Sequence, residues 1–328
     1  FFGQALYGSA EYYIKKTKDL IMDQRLPSFT GFSSIAANLG ESQNQGFEIS
    51  LTSTNIQMKD FTWSTSAGFS LNQNRINHIY YTYDANGKEL DDTQNKWYIG
   101  KPMGEIWDYE TDGIWQNNPT DIASAALVGQ RPGDIKVKNN YTEDDKILTD
   151  GTRVPVYNEK DKAYLGTTIP PVYWNLRNEF TLWKDLSFSF SLYSYMGHKS
   201  VLGYWLNQDN GGSVVTNAYN VPKKEYWTPD NPTNEYARLN AVGPTGLSGG
   251  VGKLYNRSFV RFDDISVGYT LPQKWTRKYQ VERIRVNASC RNIGTISGWK
   301  YGDPETYSDT NTGGLSTRTF NVGLNITL

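Results

Sequence analysis

Residues 60–74 read DFTWSTSAGFSLNQN, and within them Phe61, Trp63, Ala67, Phe69 and Leu71 alternate with Thr62, Ser64, Ser66, Gly68, Ser70 and Asn72. Successive side chains on a strand point to opposite faces, so this stretch has one apolar face and one face of small polar groups. Just upstream, Phe47, Ile49 and Leu51 alternate with Glu48, Ser50 and Thr52, and only NIQMKD separates the two runs. Two alternating runs across a short polar break predict a β-hairpin. Further along, Trp174, Leu176, Phe180 and Leu182 precede a tight turn at Lys184 and Asp185, and Leu186, Phe188, Phe190 and Leu192 follow it. A third hairpin joins Ile265, Val267, Tyr269 and Leu271 to Ile284, Val286, Ala288 and Cys290 through a longer turn beginning at Pro272. The last segment sets Phe320, Val322, Leu324, Ile326 and Leu328 against Asn321, Gly323, Asn325 and Thr327. With an opening strand around Leu6 to Ile14, about eight strands are predicted, each near the ~10 residues that cross an outer membrane.

Between these hairpins the connections are long, over residues 18–43, 75–171, 198–257 and 294–316. Tight turns and long loops therefore alternate. In outer-membrane barrels the short turns face the periplasm and the long loops the exterior, which orients the chain and brings the last strand down to the periplasmic side. A soluble β-sandwich or barrel would alternate too, with its apolar face turned inward. Three features favour a membrane wall: a polar face rich in Ser, Thr, Asn and Gly, aromatics near strand ends, and a tight turn at every second connection. The expected fold class is an all-β transmembrane antiparallel barrel. Its lipid-facing set is Phe47, Ile49, Leu51, Phe61, Trp63, Phe69, Leu71, Trp174, Leu176, Phe180, Leu182, Phe188, Phe190, Val267, Tyr269, Val322, Leu324 and Ile326. Cys290 falls on the same side as a small apolar residue.

Composition excludes several classes. Hydrophobic residues make up 38%, and no apolar run approaches the ~20 residues of a spanning helix. With 33 basic and 34 acidic residues and no basic block, the chain lacks the electrostatic footprint of a nucleic-acid partner. One cysteine, with His78 and His198 as the two histidines, supports neither an internal disulfide nor a zinc site. The opening FFGQALYGSAEYY has neither a starting Met nor a signal peptide and reads as the start of a fragment. Catalysis has no recognisable motif: Glu48, Glu179, Asp263 and Asp264 are carboxylates without one, and His198 follows Gly197 with no triad pattern nearby. No catalytic residue, cofactor or metal is expected.

Aromatics reach 14%. Trp97, Tyr98, Trp107, Tyr109, Trp115, Tyr204, Trp205, Tyr226, Trp227 and Trp299 all fall in the exterior half. Rings there stack on sugars or pack peptide side chains; the alternative is an aromatic girdle or loop packing. As candidates for shaping or touching a binding chamber, Trp97, Trp107, Tyr109 and Trp115 are joined by Arg177 and Glu179 on a polar strand face, where the plainer reading is an interstrand ion pair in a hydrated lumen.

Several loop stretches resemble, in order, those of SusC/RagA-type TonB-dependent transporters of Bacteroidetes. They are RLPSFTGFSSIAANLGESQNQGFEISL, MGEIWDYETDGIWQ, RPGDIKV, SFVRFDDISVGYTLP, YGDPET and the closing TRTFNVGLNITL. The resemblance implies that residues 1–328 are the C-terminal barrel portion of a longer importer, with its plug and TonB-box regions outside this chain. The parent barrel would have about 22 strands. It further implies an outer-membrane location in contact with lipid, active import of an oligosaccharide or oligopeptide, a SusD-like surface lipoprotein as lid, and TonB acting through the N-terminal region. A passive porin or structural barrel is the alternative, and a barrel enzyme a more distant one. Two departures stand out. After PGDIK the family continues into an Asp-rich run, whereas here KNNYTEDDKILTDGTRV places Asp144, Asp145, Asp150 and Gly151 out of step with a calcium loop; a solvated acidic loop is expected. The chain also ends in Leu328 where Phe is common, so the terminal insertion signal is expected to be weaker or conservatively replaced.

Overall fold

The computed structural model describes residues 5–26, 28–92, 95, 97–201, 225–239, 241–245, 247, 254–300, 302–306 and 316–328. In chain order its strands are β1 (Leu6–Arg25), β2 (Ser34–Gln57), β3 (Phe61–His78), β4 (Glu105–Tyr109), β5 (Thr111–Ile114), β6 (Ile135–Val137), β7 (Lys146–Ile147), β8 (Arg153–Val154) and β9 (Lys162–Thr167). They continue with β10 (Val172–Leu182), β11 (Leu186–Met196), β12 (Lys199–Val201), β13 (Leu254–Asn256), β14 (Phe259–Thr270), β15 (Arg283–Ser297) and β16 (Thr319–Thr327). The α-helices among the described residues are α1 (Pro119–Leu127) and α2 (Gln273–Thr276).

Eight strands form one antiparallel sheet in the order β1-β2-β3-β10-β11-β14-β15-β16. All the connections within it join spatial neighbours, as in an up-and-down barrel wall. Register carries the apolar face across the strip. Phe47 lies opposite Leu71 and Ile49 opposite Phe69; Phe69 meets Trp174 and Trp63 meets Phe180; Phe180 meets Phe188, Phe188 meets Val267, Val267 meets Ala288 and Ala288 meets Val322. The residues expected to face lipid thus share one face, and Cys290 joins them opposite Phe320. Leu51, Phe69, Leu71, Val267, Tyr269, Val322, Leu324 and Ile326 are exposed there. A soluble sandwich would pack a second layer against such a face. The described loops instead build their own apolar clusters, around Trp115 and around Trp227.

Toward the end of the strip that carries the 58–60 and 183–185 turns, this apolar face becomes aromatic. The Phe180 ring lies within 6.4 Å of the rings of Phe61, Trp63, Phe188 and Phe190. Polar residues interrupt the apolar rows at one level, where Ser53 lies opposite Thr65 and Thr65 opposite Asn178; Asn178 Oδ1 accepts Trp63 Nε1–H at 2.9 Å and Thr65 Oγ1–H at 2.7 Å. Its carbonyl is therefore satisfied within the wall, as a low-dielectric setting requires.

Two expectations need correction. Residues 18–43 are not a long loop: β1 runs on to Arg25, β2 starts at Ser34, and the pairing continues to Arg25 opposite Ser34. Above a membrane both faces of a hairpin meet water, so alternation fades while backbone pairing persists. Lost alternation therefore does not mark the end of a strand there. The strict alternation of tight turns with long loops fails at the same place. Elsewhere β2 and β3, and β10 and β11, are joined by three residues each, 58–60 and 183–185, as expected, and α2 occupies the longer turn after Pro272. The stretch EIWDYETDGIWQ forms β4 and β5.

Candidate functional site

The inner face of the strip is polar and charged. Over β10, β11, β14 and β15 lies a recess of about 490 Å³ lined by Arg177, Asp263, Asp264, Arg285, Arg291 and a set of serines. Arg177 Nε donates to Glu179 Oε1 at 2.8 Å, and its guanidinium also reaches Ser189 Oγ at 3.0 Å and Asp264 at 3.9 Å. Arg291 lies 3.7 Å from Asp263, and Arg285 donates to Ser187 Oγ at 2.6 Å. Ser189 and Ser266 hydroxyls meet at 2.7 Å. The two sequence candidates on this wall, Arg177 and Glu179, are thus brought together as an ion pair, but along one strand, two residues apart on β10, and not between neighbouring strands.

Asp263 and Asp264 are adjacent, yet both line this recess. Strand periodicity forbids that unless the strand carries an extra residue. A bulge supplies it: Ser191 pairs with Asp264 and Leu192 with Phe262, leaving Asp263 as the insertion. The partner β15 is irregular at the same level, where Asn292 takes a left-handed backbone with φ 53°. The bulge keeps Phe262 outward, stacked 5.9 Å from Phe190, and Arg261 inward beside Tyr193. In the sequence the signal is RFDDIS, where Phe262 and Ile265 are three apart and share a face.

Higher on the inner wall two distant motifs meet. Arg261, 3% exposed, donates two bonds to the Asp303 carboxylate at 2.7 and 2.8 Å and lies 3.3 Å from Glu305. Arg261 also donates to Asn292 Oδ1 at 2.6 Å. Tyr193 O–H donates to Glu305 at 2.6 Å, and Arg257 donates to the Pro304 carbonyl at 2.8 and 3.1 Å. Burial alone would raise the Asp303 carboxyl, but Arg261 and the Ser316 hydroxyl outweigh it and hold it below the ordinary carboxylate range. Sequence reasoning missed this cluster. Its signal was available, since Arg261 and Asp303 sit in two of the matched stretches, SFVRFDDISVGYTLP and YGDPET.

The loop between β3 and β10 and the described residues of 225–247 fold as a unit with its own core. Trp115, 6% exposed, packs with Ala125, Val128, Val137 and Tyr157, and its Nε1–H donates to Gln130 at 2.9 Å. Lys136 covers the ring at 4.8 Å. Asp134 of the RPGD turn is fully buried, paired to Arg238 at 2.7 Å and accepting the Val242 and Arg131 backbone N–H groups. Gly133 has φ +91°, and a Cβ there would collide with Trp227 and Arg238. Trp227 in turn donates to Gln116 at 3.0 Å. Asn118 caps α1 by accepting Asp121 N–H, with Pro119 in the first turn.

Among the remaining aromatic candidates, Trp107 lies 6.0 Å from Tyr98 and carries Lys101 over its ring, while Tyr109 carries Lys162. Trp97 pairs its backbone with Asp92. Trp299 is buried against Tyr255 and Arg257. Tyr204 and Trp205 lie outside the described residues. The acidic loop is internally paired: Asp144 with Lys160, Asp145 with Arg153 and Asn139, and Asp150 with the Thr152 N–H. His198 is buried beside Arg257, and burial first, then that cation, pushes its pKa down to about 4.

No family model matches the chain. Over 99% of its length it is 27% identical to TonB-dependent receptor P3 of Formosa agariphila, covering 32% of that protein. It is 26% identical to the TonB-dependent receptor SusC of Bacteroides thetaiotaomicron over 94% of the chain and 28% of that protein. The chain therefore spans about a third of the length of the curated relatives it matches. Among solved structures, the RagAB peptide transporter superimposes with TM-score 0.71 at 22% identity, covering 99% of this chain and 34% of that one. The RagAB peptide importer in its open-open state gives TM-score 0.73 at 21% identity, covering 100% and 33%. At that identity the likeness is one of fold, and it places the eight-stranded strip in the wall of a larger β-barrel. In both sequence and fold, the chain resembles, over nearly all of its length, about a third of a SusC/RagA-type TonB-dependent outer-membrane transporter.

Proposed function

We propose that residues 1–328 are the C-terminal part of the barrel of a TonB-dependent outer-membrane importer, whose plug and TonB-box regions lie elsewhere in a longer protein. The observation that carries this reading is the polarity of the strip: one largely apolar face, exposed at Leu51, Phe69, Leu71, Val267 and Val322, and one face of serines, amides and paired charges around a polar recess. Such a wall hydrogen-bonds its backbone within lipid and presents water and solute with a polar lumen. The cargo is a large polar solute, an oligosaccharide or oligopeptide. A SusD-like surface lipoprotein closes over the loop unit, and TonB works through the N-terminal region. The outward residues from Phe47 to Ile326 meet lipid, and Arg177 and Glu179 line the lumen. Trp97, Trp107, Tyr109 and Trp115 shape the chamber above it, Trp115 from within the loop core. The protein acts as a transporter and not as an enzyme.

The test uses the full-length protein extracted from its own outer membrane in mild detergent. Native mass spectrometry is expected to find a lipoprotein and an oligosaccharide or oligopeptide retained on it, and planar-bilayer recordings no steady conductance. Steady conductance with nothing retained would establish a passive porin instead. Turnover of glycans or peptides by the purified protein would overturn the non-enzymatic reading.

A further inference from the structure

In the connection from β15 to β16, the described residues 302–306 turn inward onto the wall. They are held by Arg261 on β14, by Tyr193 on β11 and by Arg257 just before β14, toward the middle of the strip. Both carboxylate oxygens of Asp303 accept from Nη2 of the buried Arg261 at 2.7 and 2.8 Å, Glu305 takes Tyr193 O–H at 2.6 Å, and the Pro304 carbonyl takes Arg257. Ser316, at the far end of the loop, donates to Asp303 as well. Asp303 also accepts the backbone N–H of Glu305 at 2.9 Å and of Thr306 at 3.3 Å, so it shapes the turn that it anchors. The Asp263 bulge is what aims Arg261 inward to receive it.

Every one of these anchors is a hydrogen bond or ion pair on the luminal face. In a buried charge pair, loss of either partner strands the other charge. We infer that Arg261 is a positioning residue that holds residues 302–306 as a strap across the upper lumen, so that the Arg261–Asp303 bond sets the aperture through which cargo passes. This rests on the importer reading, in which the inner face is the cargo path.

The experiment uses the full-length protein in outer membranes, in a Cys290→Ala background carrying Ser266→Cys on the inner wall below the strap. Two quantities are compared between this parent and Arg261→Met or Asp303→Asn: hydrogen exchange at residues 302–306, and labelling of the Ser266→Cys thiol by a small and by a bulky membrane-impermeant maleimide. Breaking the pair is expected to speed exchange of the strap by on the order of a hundredfold while β11 and β14 keep their protection. Bulky labelling should accelerate and small labelling stay level. Faster strap exchange with unchanged bulky labelling would show a purely structural bond and overturn the inference, as would no change in either. Should Arg261→Met fail to insert, Tyr193→Phe, which removes only the Glu305 anchor, is expected to move both readouts the same way to a lesser extent, and no movement would again overturn it. Neither readout involves cargo retention or TonB, so a failure here is distinct from a failure of the importer reading.

Discussion

At the scale of single residues, the wall is defined by which way each side chain points, and one step along the chain reverses it. Phe69 is on the outward face and Ser70 on the inward face of the same strand. Phe69→Arg is expected to cost ~2–4 kcal/mol if the site lies near the bilayer midplane, and Ser70→Arg little. Equilibrium unfolding in lipid vesicles measures both, and equal penalties would contradict the orientation. The turn after β10 carries a different cost. Trp183 and Lys184 both adopt left-handed backbone, φ 50° and 64°, in a position where hairpins favour Asn-Gly. Lys184→Gly is therefore expected to stabilise the hairpin by about 1 kcal/mol, read as a raised unfolding midpoint; a lowered midpoint would show that the turn is not strained. Asp303 adds a pH dependence. Its carboxyl titrates lower in the fold than in the unfolded chain, so its contribution is fully present above the ordinary carboxylate pKa of about 3.9 and fades as pH falls through the lower folded value. Protection of residues 302–306 should hold constant from neutral pH to about pH 5 and decline only in stronger acid. A decline already near neutrality would assign the strap to another group.

At the scale of elements, legibility follows from what each pattern reports. Alternation reports an environment that differs between two faces, so β3, β10, β11, β14 and β16 could be read where one face is apolar and the other polar. It is silent where both faces meet water, which is why the upper halves of β1 and β2 were read as loop. It is also broken by a bulge, which hid Arg261 among the strand residues although FDDI carried the irregularity in plain view. The loop unit was legible as matched stretches and not as a structure: nothing local to RPGD announces that Asp134 will meet Arg238, over a hundred residues away. Among the aromatic candidates, spacing could not separate Trp115, committed to a core with Ala125 and Val128, from Trp107 beside Tyr98. The Asp134–Arg238 pair gives the unit its cohesion. Asp134→Ala leaves a buried guanidinium uncompensated and is expected to cost ~3–5 kcal/mol locally. Hydrogen exchange should accelerate over residues 225–245 and 111–137 with the barrel strands unaffected. Acceleration spread evenly over the strands would mean that the loop unit is not a separate layer.

At the scale of the whole molecule, the decisive fact is that the strip has two ends. Among the described residues the sheet order starts at β1 and stops at β16, and these two are not paired with each other. The outward side chains of β16 show what a missing neighbour does: Phe320 is 74% exposed and Val322 81%, whereas Phe262 and Phe190, in the interior of the strip, lie partly covered by strands on both sides. Inside hydrocarbon an unpaired edge costs several kcal/mol for each free backbone group, far more than the outward side chains of one strand can offset. Closing eight strands on themselves would remove the edge, but it would shrink the lumen to a width filled by side chains. The recess over β10 to β15 and the inward strap would then have no room. The strip is therefore expected to require further strands from the remainder of a longer chain. Expressed alone, residues 1–328 should fail to become protease-resistant in lipid vesicles, and co-folding with the upstream barrel segment of the same protein should restore resistance. Stable insertion of residues 1–328 as a closed monomer would refute the assignment of this chain to the wall of a larger barrel.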